Sequence, residues 1–216
     1  SLRFDGKLPD GIRMMNPYSD SSILKISSQF YCKYYDDNRP RKIILGINPG
    51  RLGAGATGIP FTDTKRLLEV CGISAGPLHT HEPSSVFIYD VVAAYGGAKQ
   101  FFGDFYINSI CPLGFVSSQG GGREVNYNYY DSKALTEAVL PFIVSSIREQ
   151  LKWPVTSDTC YVLGRGKNAT FLKRLNDEYH FFKRIVELEH PRYVMQYKSR
   201  EKDVFVNQYL EALSPK

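Results

Sequence analysis

No C-x-x-C pair occurs among the four cysteines, Cys32, Cys71, Cys111 and Cys160, which lie far apart in the chain. That spacing argues against a zinc ribbon, an iron–sulfur cluster or a small disulfide framework, and reduced thiols in a cytoplasmic protein fit it best. No apolar run approaches the ~20 residues that a membrane span needs. No signal peptide or lipidation pattern opens the sequence, so a cytoplasmic location is expected. The one long Gly-rich loop lacks Gly-Lys-Ser/Thr, and its glycines lack the Gly-x-Gly-x-x-Gly spacing from the preceding run, so it is neither a Walker A nor a dinucleotide fingerprint. His79 and His81 form an x-His-x-His pair with no third ligand of matching spacing nearby. They are expected to sit exposed in a loop, and the chain calls for no metal and no cofactor.

What the chain does have is ordinary globular chemistry: 216 residues, 43% hydrophobic and 23% charged. That length suits one domain with a full core, residues 1–216, of which the polar, Gly/Pro-rich stretch 1–16 reads as an irregular arm. A net charge of +5 leans towards a polyanionic partner without proving one.

Helical spacing and caps predict helices from Asp20 or Ser21 to about Tyr35, and over 62–71, 84–95, 132–151, 168–179 and 198–213. Apolar runs predict strands over 41–47, within 105–116, over 158–164 and over 184–189. Strands alternating with helices make an α/β protein with a parallel sheet of about four strands covered on both faces. The Gly/Ser/Asn/Tyr stretch 117–130, with Gly120-Gly121-Gly122-Arg123, reads as a mobile surface loop. Its Tyr127, Tyr129 and Tyr130 either stack bases or pack on their own protein.

The run Ile43-Ile44-Leu45 ends in Gly46-Ile47-Asn48-Pro49-Gly50, and the Gly-rich loop continues to Thr57-Gly58-Ile59-Pro60-Phe61. Ligands of open α/β sheets bind beyond the strands' carboxyl ends. Pro49 pushes Asn48 towards extended backbone, and Gly50 takes angles closed to other residues, so the Asn48 amide projects from a stiff corner. Asn108 interrupts an otherwise apolar strand and must find partners or pay a desolvation cost of ~1 to 3 kcal/mol. His190 stands before Pro191 just past the last predicted strand. Each of these three has a bland reading alone, as turn former, satisfied amide or loop neighbour, but all three open onto one crevice.

The Gly-Ile-Asn-Pro-Gly…Thr-Gly-Ile-Pro-Phe block, the Asn108-Ser109-Ile110-Cys111-Pro112-Leu113 strand end and the terminal His190-Pro191 resemble the uracil-DNA glycosylase superfamily, nearest to its single-strand-selective monofunctional members. Order and spacing agree from about residue 40 to 195, and Gly164-Arg165 fits the same pattern. The resemblance implies a three-layer α/β/α sandwich with a four-stranded parallel sheet, no metal, and damaged DNA as partner of a monomeric enzyme that hydrolyses the N-glycosidic bond of uracil in base excision repair, at the cytoplasmic nucleoid of a bacterium or in the nucleus of a eukaryote. It implies Asn48 as the residue orienting water, His190 as donor to the uracil O2, Asn108 as reader of the base edge and Phe61 as its stacking partner, with Gly46 and Ile47 in the same wall. Gly50 falls where stricter relatives place a bulky side chain against C5, which implies acceptance of 5-substituted uracils such as 5-hydroxymethyluracil.

After His190-Pro191 the family's expected Ser-Pro-Arg is replaced by Arg192-Tyr193-Val194-Met195-Gln196-Tyr197. From this stretch Arg192, Tyr193, Met195 and Lys198 are the expected DNA contacts, with Tyr193 or Met195 either a wedge inserted into the stack or core packing. Arg51-Leu52 and the 117–130 loop depart from the pattern too, which bears on substrate range. Two other readings compete: a catalytically silent nucleic-acid-binding module of the same fold, and a small-molecule nucleoside or nucleotide hydrolase.

Overall fold

The computed structural model describes residues 2–119 and 123–214. Its centre is a parallel sheet in the order β3-β2-β6-β7, made of β2 (Arg41–Gly46), β3 (Phe105–Ser109), β6 (Val155–Leu163) and β7 (Arg184–Leu188). Ile43, Ile44 and Leu45 are all but inaccessible, so both faces of the central strand are covered, as continuous β-branched runs in parallel sheets require. Flanking the sheet are α1 (Ser21–Tyr35), the short α2 (Ala54–Thr57) and α3 (Thr64–Glu69), then α4 (Pro83–Ala94), α5 (Ala98–Asp104), α6 (Lys133–Gln150), α7 (Lys167–Tyr179), α8 (Pro191–Tyr197) and α9 (Lys202–Leu213). The expected α/β architecture and the four strands are therefore present.

Helix starts follow from local chemistry. Asp20 caps α1 by accepting from Ser22 N (2.8 Å), and Ser132 caps α6 by accepting from Leu135 N (3.2 Å). Because the strands are parallel, all four carboxyl ends face the same way. The order reverses between β2 and β6, which places the switch-point crevice above that pair.

Two expectations are corrected. Residues 1–16 are not simply an irregular arm: β1 (Ile12–Met15) pairs antiparallel with β4 (Gly114–Gln119). The 117–130 segment is not a mobile surface loop either, because β4 pairs antiparallel with β5 (Arg123–Tyr127) in a second, three-stranded sheet of order β1-β4-β5. Backbone hydrogen bonding to strands on either side supplies the order that a Gly/Ser/Asn-rich composition does not advertise. The Gly120-Gly121-Gly122 run lies outside the described residues. Of the three tyrosines, Tyr129 is core: it is fully buried, and its hydroxyl donates to Asn168 Oδ1 (2.7 Å).

Candidate active site

The second sheet reaches the Gly-rich loop from below. Met15, at the end of β1, lies beside two glycines: a Cβ on Gly114 would stand 2.6 Å from Met15 Cε, and one on Gly55 3.2 Å from it. A Cβ on Gly114 would also overlap the Pro49 carbonyl oxygen, so only glycine lets β4 start this close to the loop. From the arm, Tyr18 OH donates to Gly58 O (2.9 Å). Inside the loop, the N–H groups of Gly53 and Gly55 both reach Gly50 O (3.1 and 2.9 Å).

Asn48 is fixed by the segment after β5. Its Nδ2 donates to Tyr127 O (3.3 Å), and its Oδ1 accepts from Tyr129 N (3.0 Å). Nδ2 also reaches Pro49 O at 3.5 Å, so both amide hydrogens have protein partners and one lone pair of Oδ1 is left for a ligand. Asn126 accepts from Arg51 N (3.0 Å), which ties β5 to the loop a second time.

Phe61 has φ +52°, a left-handed conformation that is costly for a bulky side chain, by roughly 1–3 kcal/mol. Its neighbours hold it there. Thr57 Oγ1 donates to Thr62 O (2.8 Å), and Thr62 Oγ1 contacts Pro60 O and the Tyr89 hydroxyl, both at 3.0 Å. Gly46 makes the ring's place, since a Cβ there would stand 2.7 Å from Phe61 Cζ.

His190 caps α8, and its Nδ1 accepts from Arg192 N (3.1 Å). The ring therefore carries its proton on Nε2 when neutral. Burial pulls its pKa down to about 4, and the positive charge of Arg192 adds to the effect. At neutral pH the imidazole is an uncharged donor. Gly164, at φ +108°, sits under it: a Cβ there would lie 3.7 Å from His190 Cβ. The Phe61 and His190 ring centroids are 6.0 Å apart.

Asn48, His190, Phe61, Ile47 and Gly50 line one cavity of about 810 Å³, together with Arg192, Tyr193 and Met195. That volume suits a nucleotide-sized ligand. Two expected members stand behind its wall. Gly46 supports Phe61, and the Asn108 side chain donates through Nδ2 to Tyr106 OH (2.6 Å) and accepts through Oδ1 from Ser109 N (2.8 Å). The Asn108 carbonyl is 3.6 Å from where a Gly46 Cβ would be, so the residue adjoins the Phe61 site from the strand side. Lys198 is apart from the cavity lining, paired with Glu201 at 3.0 Å. His79 and His81 are exposed, His81 Nδ1 lying 3.6 Å from Asp63 Oδ2.

Sequence reasoning left several wall residues unassigned, Leu52, Glu82, Asn126, Asn128, Gln196 and Tyr197, while Tyr130, weighed there for base stacking, also lines the cavity. Their signals were the departures themselves, Arg51-Leu52 and the unusual stretch after His190, while Glu82 was hidden in the loop with the paired histidines.

Residues 32–214 match the family model of the uracil DNA glycosylase superfamily. No curated protein matches the chain. The crystal structure of wild-type SMUG2 from Pedobacter heparinus is similar, with 54% sequence identity and a TM-score of 0.95 over 98% of this chain and 91% of that one. With a family match over most of its length, a four-stranded parallel sheet and a crevice at the strands' carboxyl ends, the chain belongs to the uracil-DNA glycosylase superfamily and is a DNA glycosylase-type hydrolase.

Proposed function

We propose that the protein removes uracil, and uracil substituted at C5, from DNA by hydrolysing the N-glycosidic bond, as the first step of base excision repair. The observation that carries this reading is the shared cavity in which a neutral His190 and a pinned Asn48 amide meet beside the Phe61 ring. Breaking this bond builds positive charge on the sugar and negative charge on the departing base. A base flipped out of the stack lies against Phe61, and Asn108 reads its N3–H and O4 edge. That edge reading requires the Asn108 amide to exchange its Tyr106 partner for the base.

His190 donates its Nε2 proton in a hydrogen bond to O2, where charge accumulates. A neutral N–H donor stabilises that charge without needing to be protonated first. Asn48 uses the remaining lone pair of Oδ1 to accept from a water held below the sugar; an oxocarbenium centre asks little of its nucleophile. Among the described residues that line the cavity there is no lysine, which supports simple hydrolysis over a Schiff base with the sugar. Gly50 leaves room beside C5.

The test is single-turnover excision from labelled oligonucleotides carrying U, 5-hydroxymethyl-U, hypoxanthine or T, followed by alkali to reveal abasic sites. Release of uracil is expected, with His190→Ala and Asn48→Ala each slowing it by roughly two to four orders of magnitude while DNA affinity changes little. Undiminished rates in either variant would remove that residue from the mechanism. The absence of any abasic product from the wild-type protein would favour a silent binding module.

A further inference from the structure

Glu82 stands at the start of α4, lines the cavity, and has no task in the reaction described above. Its backbone N–H donates to Asp63 Oδ2 (3.1 Å), which anchors the residue. Its carboxyl is different: Oε2 is sealed from solvent without a hydrogen-bond partner among the described residues. A buried polar atom left unpaired is destabilising and calls for a reason; Oε1, beside Gly50, is not sealed, and it is through this oxygen that a ligand reaches the carboxyl.

The carboxyl occupies space that two glycines vacate. A Cβ on Gly53 would overlap Oε2, while a Cβ on Gly50 would stand 3.4 Å from Oε1 and 3.5 Å from Asn126 Nδ2. Where a bulkier loop would present carbon, this one presents a hydrogen-bonding group. The charged groups around Glu82 are Asp63, the capping residue of α3, and Arg192 of α8. Asp63 is in turn held by Arg66 (3.1 Å) and approached by His81 (3.6 Å). Burial pushes the Glu82 pKa up to about 7; Asp63 adds to the rise, and Arg192 opposes it. Near neutrality the group is thus shared between a form that donates and accepts hydrogen bonds and a form that accepts them and repels anions.

We infer that Glu82 contacts the substrate base and sets which C5 substituents the site admits, holding neutral hydrogen-bonding groups such as hydroxymethyl and turning away anionic ones such as carboxylate. This rests on the reading of Gly50 as the neighbour of C5.

The experiment measures single-turnover excision of U, 5-hydroxymethyl-U and 5-carboxy-U from single-stranded oligonucleotides by the wild-type protein, Glu82→Gln, Glu82→Ala and Gly53→Ala. Glu82→Ala is expected to lower the 5-hydroxymethyl-U to U rate ratio roughly three- to tenfold, the worth of one neutral hydrogen bond. Glu82→Gln keeps a donor and an acceptor, so it should preserve that ratio and raise the 5-carboxy-U to U ratio about tenfold. In the wild-type protein the latter ratio should fall between about pH 6 and about pH 8 as the carboxyl ionises, and Glu82→Gln should abolish that fall. Gly53→Ala should shift the 5-hydroxymethyl-U ratio with the glutamate still present, because the added methyl displaces its carboxyl.

Thermal melting of each variant separates these effects from misfolding, and Glu82→Gln removes no side-chain hydrogen bond among the described residues. Unchanged ratios in Glu82→Ala and Glu82→Gln, with uracil still excised, would overturn this inference alone. Parallel loss on all three substrates in a folded Glu82→Gln would overturn it in favour of water activation. A wild-type protein that excises no uracil would defeat the glycosylase reading and this inference with it.

Discussion

His190 shows how a single side chain is prepared by its surroundings. Burial and Arg192 together hold its pKa at about 4, and the hydrogen bond from Arg192 N to Nδ1 leaves the neutral ring's proton on Nε2. The fold therefore favours the uncharged tautomer that the proposed chemistry uses. Two consequences concern pH. Excision rates should show no His190-linked acid limb near 6.5, the ordinary histidine value, but one near pH 4, read from single-turnover profiles on a uracil oligonucleotide. Folding stability moves the same way: the unfolded ring binds a proton near 6.5 and the folded ring only near 4. Stability is therefore fully present above 6.5 and declines as pH falls towards 4, by at most about 3 kcal/mol. A rate profile with its acid midpoint near 6.5 would mean that the charged imidazole is the inactive form under ordinary conditions, and the electrostatic account of His190 would fail.

At the level of elements, the short helix α8 resolves a question that its sequence leaves open. Val194 is its core residue, fully buried, whereas Tyr193 and Tyr197 are 41% and 67% exposed with ring centroids 5.6 Å apart. Met195 lies between these cases, packed against the core and lining the cavity. Tyr193 is thus not core packing, and a tyrosine at the cavity rim suits insertion into a base stack. Tyr193→Ala should slow excision from duplex about tenfold more than from single strands, since only the duplex must be unstacked at a few kcal/mol. Equal slowing on the two substrates would send the search for a wedge to Leu52 on the opposite lip, which is also exposed.

The strands of the parallel sheet were readable because a fully buried strand is written as a run of apolar, often β-branched residues, as in Ile43-Ile44-Leu45. Asn108 was readable as a polar interruption that needed partners, and it has them in Tyr106 and Ser109. The hairpin of β4 and β5 was not readable: Ser117, Ser118, Asn126 and their neighbours carry little strand propensity. What orders them is pairing with Ile12–Met15, at the other end of the first hundred residues. Glu82 was missed for a similar reason, because its meaning comes from the missing side chains of Gly50 and Gly53, which lie against its carboxyl but about thirty residues away in sequence.

On the scale of the whole molecule, the chain joins a parallel sheet that supplies the crevice to an antiparallel sheet that holds the Gly-rich loop in shape. The link between them is long in sequence. Ile12 pairs with Ser117 and Met15 with Gly114, so the strand that braces the loop closes over a span of about a hundred residues. Pairings of such separation are slow to form, because the chain entropy of closure is lost before the contacts return anything. The parallel sheet closes a comparable span, Ile43 pairing with Cys160, but burial of Ile43, Ile44 and Leu45 draws it together, a drive that the thinly buried β1 and β5 lack. Refolding from denaturant should accordingly return the far-UV signal before it returns excision activity, and coincident recovery of the two would show that both sheets form in one step. Catalytic competence is then the last property a folding chain acquires, and β1, made well before β4, waits for the strand that gives it a purpose.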